Sequence, residues 1–171
     1  MPTPAPLPPD DLSRTLTLAR ADGGSAPHLS VAGDTYTILL RGADTGGRYC
    51  LIDMHVPPGG GPPQHRHDFE EMFTLLEGEL EFTFRGAAKT VRAGTTVNIP
   101  ANAPHFFRNV STAPARMLCL CSPAGQEEFF QQIGLPVESR TAPPPEQSEA
   151  EKAATQAKAM SLMAQYRTEM V

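Results

Sequence analysis

A chain of 171 residues with 40% hydrophobic residues is long enough to bury one sizeable core, and its formal net charge is −5. Its three lysines, Lys89, Lys152 and Lys158, give no basic patch for nucleic acid or an anionic membrane, and no apolar run reaches the length of a membrane helix. The three cysteines, Cys50, Cys119 and Cys121, are odd in number and poorly spaced for a disulfide framework, so free thiols and a cytoplasmic location are expected.

Residues 1–27 open with the proline-rich run Met1-Pro-Thr-Pro-Ala-Pro-Leu-Pro-Pro, which reads as an extended arm without the basic end and apolar core of a signal peptide. A short apolar-alternating stretch follows at 12–18. Strands are then expected at 36–41, 48–56, 72–76, 80–85, 88–92, 95–99, 105–110 and 116–121, separated by Gly- and Pro-bearing turns such as 42–47 and 57–63. Many short antiparallel strands of this kind make a sandwich or a barrel, here spanning residues 28–135. Alternation assigns faces: Leu80, Phe82 and Phe84 point inward, Phe73 and Leu75 share the face of Glu71, Phe107 and Asn109 share that of His105, and Cys50, Ile52 and Met54 form another apolar face. Met54, Phe73, Phe82 and Phe107 are the candidates for lining a pocket, set against plain core filling, which is the usual fate of such residues in small barrels.

Two helices are expected near the end. Ser122 as cap, Pro123 at the first helical position and Gly134 after the end delimit a short one. In the remaining segment, 136–171, a linker with three prolines at 143–145 leads to a second helix. It begins at the capping box Ser148-x-x-Glu151 and runs to about Glu169. Its stripe of Met160, Met163, Tyr166 and Met170 is expected to cover the barrel mouth or a partner subunit, and with the arm it points to a homodimer.

The chemistry concentrates in His65, His67, Glu71 and His105. In an extended segment positions 65, 67 and 71 lean the same way, and His105, which follows Pro104, would arrive from a neighbouring strand. Three imidazoles and one carboxylate suit one divalent transition metal, with Fe, Mn, Ni, Cu and Zn all compatible. His28 and His55 have no partners at ligand spacing and are expected at the surface, as is Glu70, which points away from Glu71.

These residues resemble the two motifs of the cupins. Gly59, His65, His67, Glu71 and Gly78 match the first, and Gly94, Pro100, His105 and Asn109 match the second, with Asn102 where that family usually has glycine. Asparagine tolerates positive φ best after glycine, so the turn should survive. The resemblance covers about residues 33–135 and selects an all-β, single-domain jelly-roll barrel with short C-terminal helices. The stretch from Gly59 to His65 and the C-terminal extension further resemble quercetin dioxygenases. That resemblance implies a metal-dependent dioxygenase acting on a small phenolic, flavonoid-like or diketone substrate, with Glu71 both ligating the metal and taking the substrate's proton. The alternatives are a non-redox isomerase or cyclase using the metal as a Lewis acid, and a binding protein without catalysis.

Overall fold

The computed structural model describes residues 5–171, so positions 1–4 of the expected arm lie outside the described residues. Positions 5–27 form no helix or strand. The alternation at 12–18 makes no strand because nothing pairs with it: Leu12, Leu16 and Leu18 are all more than 80% exposed. What ties this segment to the body is polar. Arg14 donates to the Asp44 carbonyl at 3.0 Å, and Arg140 pairs with Asp22 at 3.1 Å.

From there the chain runs β1 (His28–Val31), β2 (Asp34–Leu40), α1 (Gly42–Thr45), β3 (Cys50–Val56), β4 (His65–His67) and β5 (Glu70–Glu77). It continues through β6 (Glu79–Phe84), β7 (Ala87–Arg92), β8 (Thr96–Ile99), β9 (His105–Arg108) and β10 (Ala115–Ser122). The C-terminal part is α2 (Gln126–Ile133), β11 (Leu135–Pro136), α3 (Glu149–Leu162) and β12 (Thr168–Met170). A seven-stranded sheet in the order β11-β1-β2-β3-β10-β5-β8 faces a five-stranded one in the order β12-β4-β9-β6-β7, and every pairing is antiparallel. This is a jelly roll.

Alternation builds its interior. Ile52, Met54 and Val56 of β3, Met117, Cys119 and Cys121 of β10, and Phe73 and Leu75 of β5 are all nearly inaccessible, as are Leu80, Phe82 and Phe107 of the opposite sheet. Phe73, Phe82 and Phe107 bridge the sheets with ring centroids 5.3–5.7 Å apart. Each fully buried phenyl ring contributes about 1.5–3 kcal/mol. Phe84, expected inside, is half-buried, with the Arg85 guanidinium 4.8 Å above its ring. On the outer face of β3, the buried Asp53 is compensated by Arg116 of β10 at 2.7 Å.

The expected strands agree with the observed ones to within two residues at either end. Four departures have physical causes. The turn at 42–47 contains one helical turn, α1, where the Arg41 backbone N–H donates to Asp44 at 2.8 Å. Ser122 does not cap α2: it ends β10, where its hydroxyl donates to the Arg48 carbonyl, and the helix starts after Gly125 instead. α3 begins as expected, with Ser148 accepting from the Glu151 N–H, yet it stops at Leu162. Its expected last turns are taken by β12, which finds partners along β4: Thr168 faces His67 and Met170 faces His65. The ion pairs Arg66–Glu169 and Asp68–Arg167 flank that pairing.

Candidate metal centre

His65 and His67 lie on β4, Glu71 on β5 and His105 on β9. The expectation that positions 65, 67 and 71 share one extended strand is corrected here. A bend at Asp68 and Phe69 ends β4 and carries the chain from the five-stranded sheet to the seven-stranded one. Glu71 therefore meets the imidazoles from across the barrel. His105 is brought in by backbone pairing, since it stands directly opposite His65. One ligand atom from each of the four lies within 4.8 Å of the others, and His67, Glu71 and His105 are buried.

The loop before β4 is fixed by a close approach. At Gly61, with φ of 127°, a Cβ would run into the Phe107 carbonyl, so only glycine fits this backbone. Asn109 ties the same loop to the end of β9, exchanging backbone hydrogen bonds with Gly59 and Gly60 at 2.8 and 2.9 Å while its side-chain amide donates to the Val56 and Ala113 carbonyls. Asn102 adopts φ of 69°, and its N–H donates to the His67 carbonyl at 2.6 Å, so the second turn braces a residue of the first motif.

Hydrogen bonding sets the ring orientations. The Nδ1 atoms of His65, His67 and His105 lie 2.9, 2.9 and 2.8 Å from the carbonyls of Pro63, Phe69 and Ala103. A carbonyl only accepts, which places the proton on each Nδ1 and leaves each Nε2 with a lone pair. The Nε2 atoms of His67 and His105 then face Glu71 Oε2 at 3.0 and 3.1 Å. Neutral imidazole acceptors aimed at a carboxylate repel one another unless a positive charge lies among them, and a divalent cation supplies it. This His3Glu cluster suits a divalent metal.

Burial alone would raise the pKa of Glu71, but without a cation hydrogen bonds and charge from protonated His105 and His67 hold it well below the usual carboxylate range, and Glu71 in turn raises that of His105 against its own burial. His65 is pushed down to about 4, chiefly by burial and then by the neighbouring His105. A cation bound among them takes the place of the protons on the Nε2 atoms, leaving Glu71 ionised and the imidazoles neutral, the states that metal ligation needs.

Behind Glu71 lies a support that sequence reasoning missed. Cys119 and Cys121 on β10 place their Sγ atoms 3.3 and 3.6 Å from Glu71 Oε1, on the side away from the imidazoles. Burial above all pushes the Cys119 thiol up to about 12, so it stays protonated and donates. Two residues apart on β10, both thiols share the inward face of that strand. The β10–β5 register, with Cys121 opposite Glu71, is what brings them to the carboxylate. Cys50, Cys119 and Cys121 are all free and buried.

Glu71 and His65 border a cavity of about 600 Å³ whose walls include Met54, Phe73 and Phe107. Phe82 is not among them: it packs behind Phe73 and Phe107 as core, which corrects its assignment to the lining. Further wall comes from α2, α3 and β12, including Phe129, Met160 and Met170. The C-terminal segment thus covers the barrel mouth. Outside the centre, His28 bonds Thr37 at 2.7 Å, His55 is half-buried, and Glu70 accepts from Asn98 and the Ala101 N–H.

A family model described as a cupin domain matches residues 52–121, which contain all four ligand candidates. The chain belongs to the cupin superfamily. It is 24% identical over 123 residues to quercetin 2,3-dioxygenase of Bacillus subtilis (strain 168), a match covering 71% of this chain and 36% of that enzyme. The cupin thus spans about a third of that relative's length. It is 34% identical over 101 residues to polyketide synthase CurC of Streptomyces cyaneus, covering 57% of this chain and 64% of the relative. Among solved structures, the polyketide cyclase RemF from Streptomyces resistomycificus superposes with a TM-score of 0.56 at 22% identity, covering 86% of this chain and 99% of that one. That likeness establishes the shared fold. Among the described residues no helix is long and apolar enough to cross a membrane.

Proposed function

We propose that this cupin is a metal-dependent dioxygenase acting on a small phenolic, flavonoid-like or diketone substrate. The observation that carries the reading is the arrangement of one cavity: Glu71 and His65 open onto a space of about 600 Å³ whose walls are mostly apolar and aromatic. That is the size and character of a small-molecule site. His65, His67, His105 and Glu71 would hold the metal, which supplies Lewis acidity and, when redox-active, an electron relay to dioxygen. The protein's own contributions follow from its geometry. Apolar walls exclude water from the reacting centre and strengthen its electrostatics. Glu71 accepts the proton of the substrate hydroxyl at Oε2, the oxygen facing the imidazoles, while the thiols at Oε1 keep the carboxylate from rotating away. The match to the Bacillus dioxygenase supports this reading. Buried free thiols fit a cytoplasmic setting, and Met160, 53% exposed on α3, fits a homodimer contact.

A second reading has its own support. The Streptomyces polyketide synthase relative shares more identity with this chain than the dioxygenase does, which supports a polyketide-like substrate; the metal would then serve as Lewis acid alone, in a non-redox cyclase.

Oxygen uptake separates the two. Protein purified without a histidine tag, reconstituted with each of Fe, Mn, Ni, Cu and Zn, should consume oxygen with flavonols or diketones in at least one redox-active form. No uptake with a fully loaded redox-metal site sinks the dioxygenase reading. His65→Ala and His105→Ala should each abolish stoichiometric metal retention in elemental analysis, and full occupancy in either variant refutes the ligand assignment.

A further inference from the structure

Gln126, the first residue of α2, borders the same cavity as His65 and Glu71, and it is only 6% exposed. Its Oε1 is buried with no hydrogen-bond partner among the described residues. The next residue gives the contrast. Glu127, 1% exposed, accepts from the Gly42 N–H at 2.7 Å through Oε1 and from the Gly125 N–H at 2.8 Å through Oε2. In the first turn of α2, then, the carboxylate turned into the protein is satisfied while the amide at the cavity is not.

A buried amide left unpaired costs more than a net hydrogen bond returns, and such groups mark places where something else is meant to bind. Oε1 is closed off from the cavity, and the NH2 end is the one with accessible surface, where water can accept from it while the cavity is wet. An apolar ligand displaces that water and, unless it carries its own polar group at that point, leaves the amide unpaired. Because a half-turn about the last side-chain bond exchanges oxygen and NH2, the amide can accept from a hydroxyl or donate to a carbonyl.

We propose that Gln126 is the specificity-determining residue of the cavity. It hydrogen-bonds one hydroxyl or carbonyl on an otherwise apolar ring-system ligand whose opposite end lies at His65 and Glu71. This rests on the reading that the cavity holds the substrate, and it adds a recognition point besides the metal ligands on the wall of the same cavity. A site that must pair a buried polar group rejects the analogue lacking the partner far more strongly than a purely apolar wall rejects a size change.

The test uses two probes that share one hydroxyl for the metal end and differ at the other end: 2,6-dihydroxynaphthalene and 6-methyl-2-naphthol. Binding of each to the metal-loaded full chain is measured calorimetrically for wild type, Gln126→Leu and the unbranched Gln126→Met. Wild type should prefer the diol by about tenfold or more, and both variants should bind the two probes within about twofold of each other. Without ligand, both variants should melt at or above the wild-type temperature, because they remove an unpaired amide. A preference that persists in both variants, no preference in wild type, no binding of either probe, or a fall in melting temperature in both variants overturns the proposal. Should the diol preference vanish with Gln126 while wild type consumes no oxygen with flavonols or diketones, the dioxygenase reading fails and this assignment stands.

Discussion

Glu71 is shared between two kinds of neighbour, imidazoles at Oε2 and thiols at Oε1. Groups that orient a metal ligand typically change metal affinity by about 10- to 100-fold when removed, so Cys119→Ala combined with Cys121→Ala should weaken metal binding by that order while leaving the fold intact. Competition titration with a chromogenic chelator measures it, and unchanged affinity would show the thiols to be mere packing. A second residue-scale expectation concerns Asp34, fully buried at the start of β2. Burial raises its pKa to about 7, against smaller opposing effects from the Tyr36 hydroxyl at 3.4 Å and the Gly61 N–H. Because the folded-state value is raised, the contribution to stability is fully present below about pH 4 and is lost as pH rises through 7. Asp34→Asn should therefore change little at pH 4 and stabilise the protein at pH 8, by at most about 4 kcal/mol. Denaturant unfolding at the two pH values decides it; equal effects at both would rule out a buried titration.

The element on which the site depends most is β4, only three residues long. It is paired to β9 through His65 and His105 alone, so β12 supplies most of its backbone bonding. α3 itself contributes little burial: none of its residues is fully buried, and Ala159 and Leu162 are only partly so. The ring of Tyr166, just beyond it, lies 5.4 Å from that of Phe129 on α2. Removing residues 148–171 should leave the barrel folded, because its core lies elsewhere, yet expose the cavity and free one edge of β4. We expect metal affinity to fall by about tenfold, as for loss of an orienting partner, and amide exchange across β4 to accelerate. A truncated protein that binds metal as tightly as the full chain would mean that β9 and the ligands alone position the strand.

At the scale of the whole molecule, the centre joins the two sheets, since Glu71 belongs to one and the three histidines to the other. A cation bound there crosslinks the sandwich. Ligand at about a thousandfold above its dissociation constant adds about 4 kcal/mol of stability, which in a chain of this size is about 10 °C in melting temperature. Chelation should lower the calorimetric Tm by that amount and re-addition of metal should restore it; an unchanged Tm would argue against a cation spanning the sheets. Much of this architecture was legible in advance. Period-two alternation located eight strands, and Gly59, Gly78, Gly94 and Pro100 marked the turns, because those signals are local. β1, β4 and β11 escaped because segments of two to four residues carry too little periodic pattern, and β12 because its sequence continues a good helix until β4 offers it an edge.

What the sequence determined by itself was a set of residue types at spacings that admit one metal ion and several chemistries upon it: three imidazoles and a carboxylate, on strands whose alternation turned Glu71 and His105 inward. Tertiary structure decided how they meet. The bend at Asp68 and Phe69 replaced a single strand face by two facing sheets, the β10 register brought two thiols to Glu71, and α2 and β12 closed the cavity with Gln126 at its wall. Alternation and turn chemistry act between residues a few positions apart and can be read along the chain. Register, sheet order and the cover of a cavity are set by competition among distant segments for the same edges and the same apolar surface, and that competition resolves only in three dimensions.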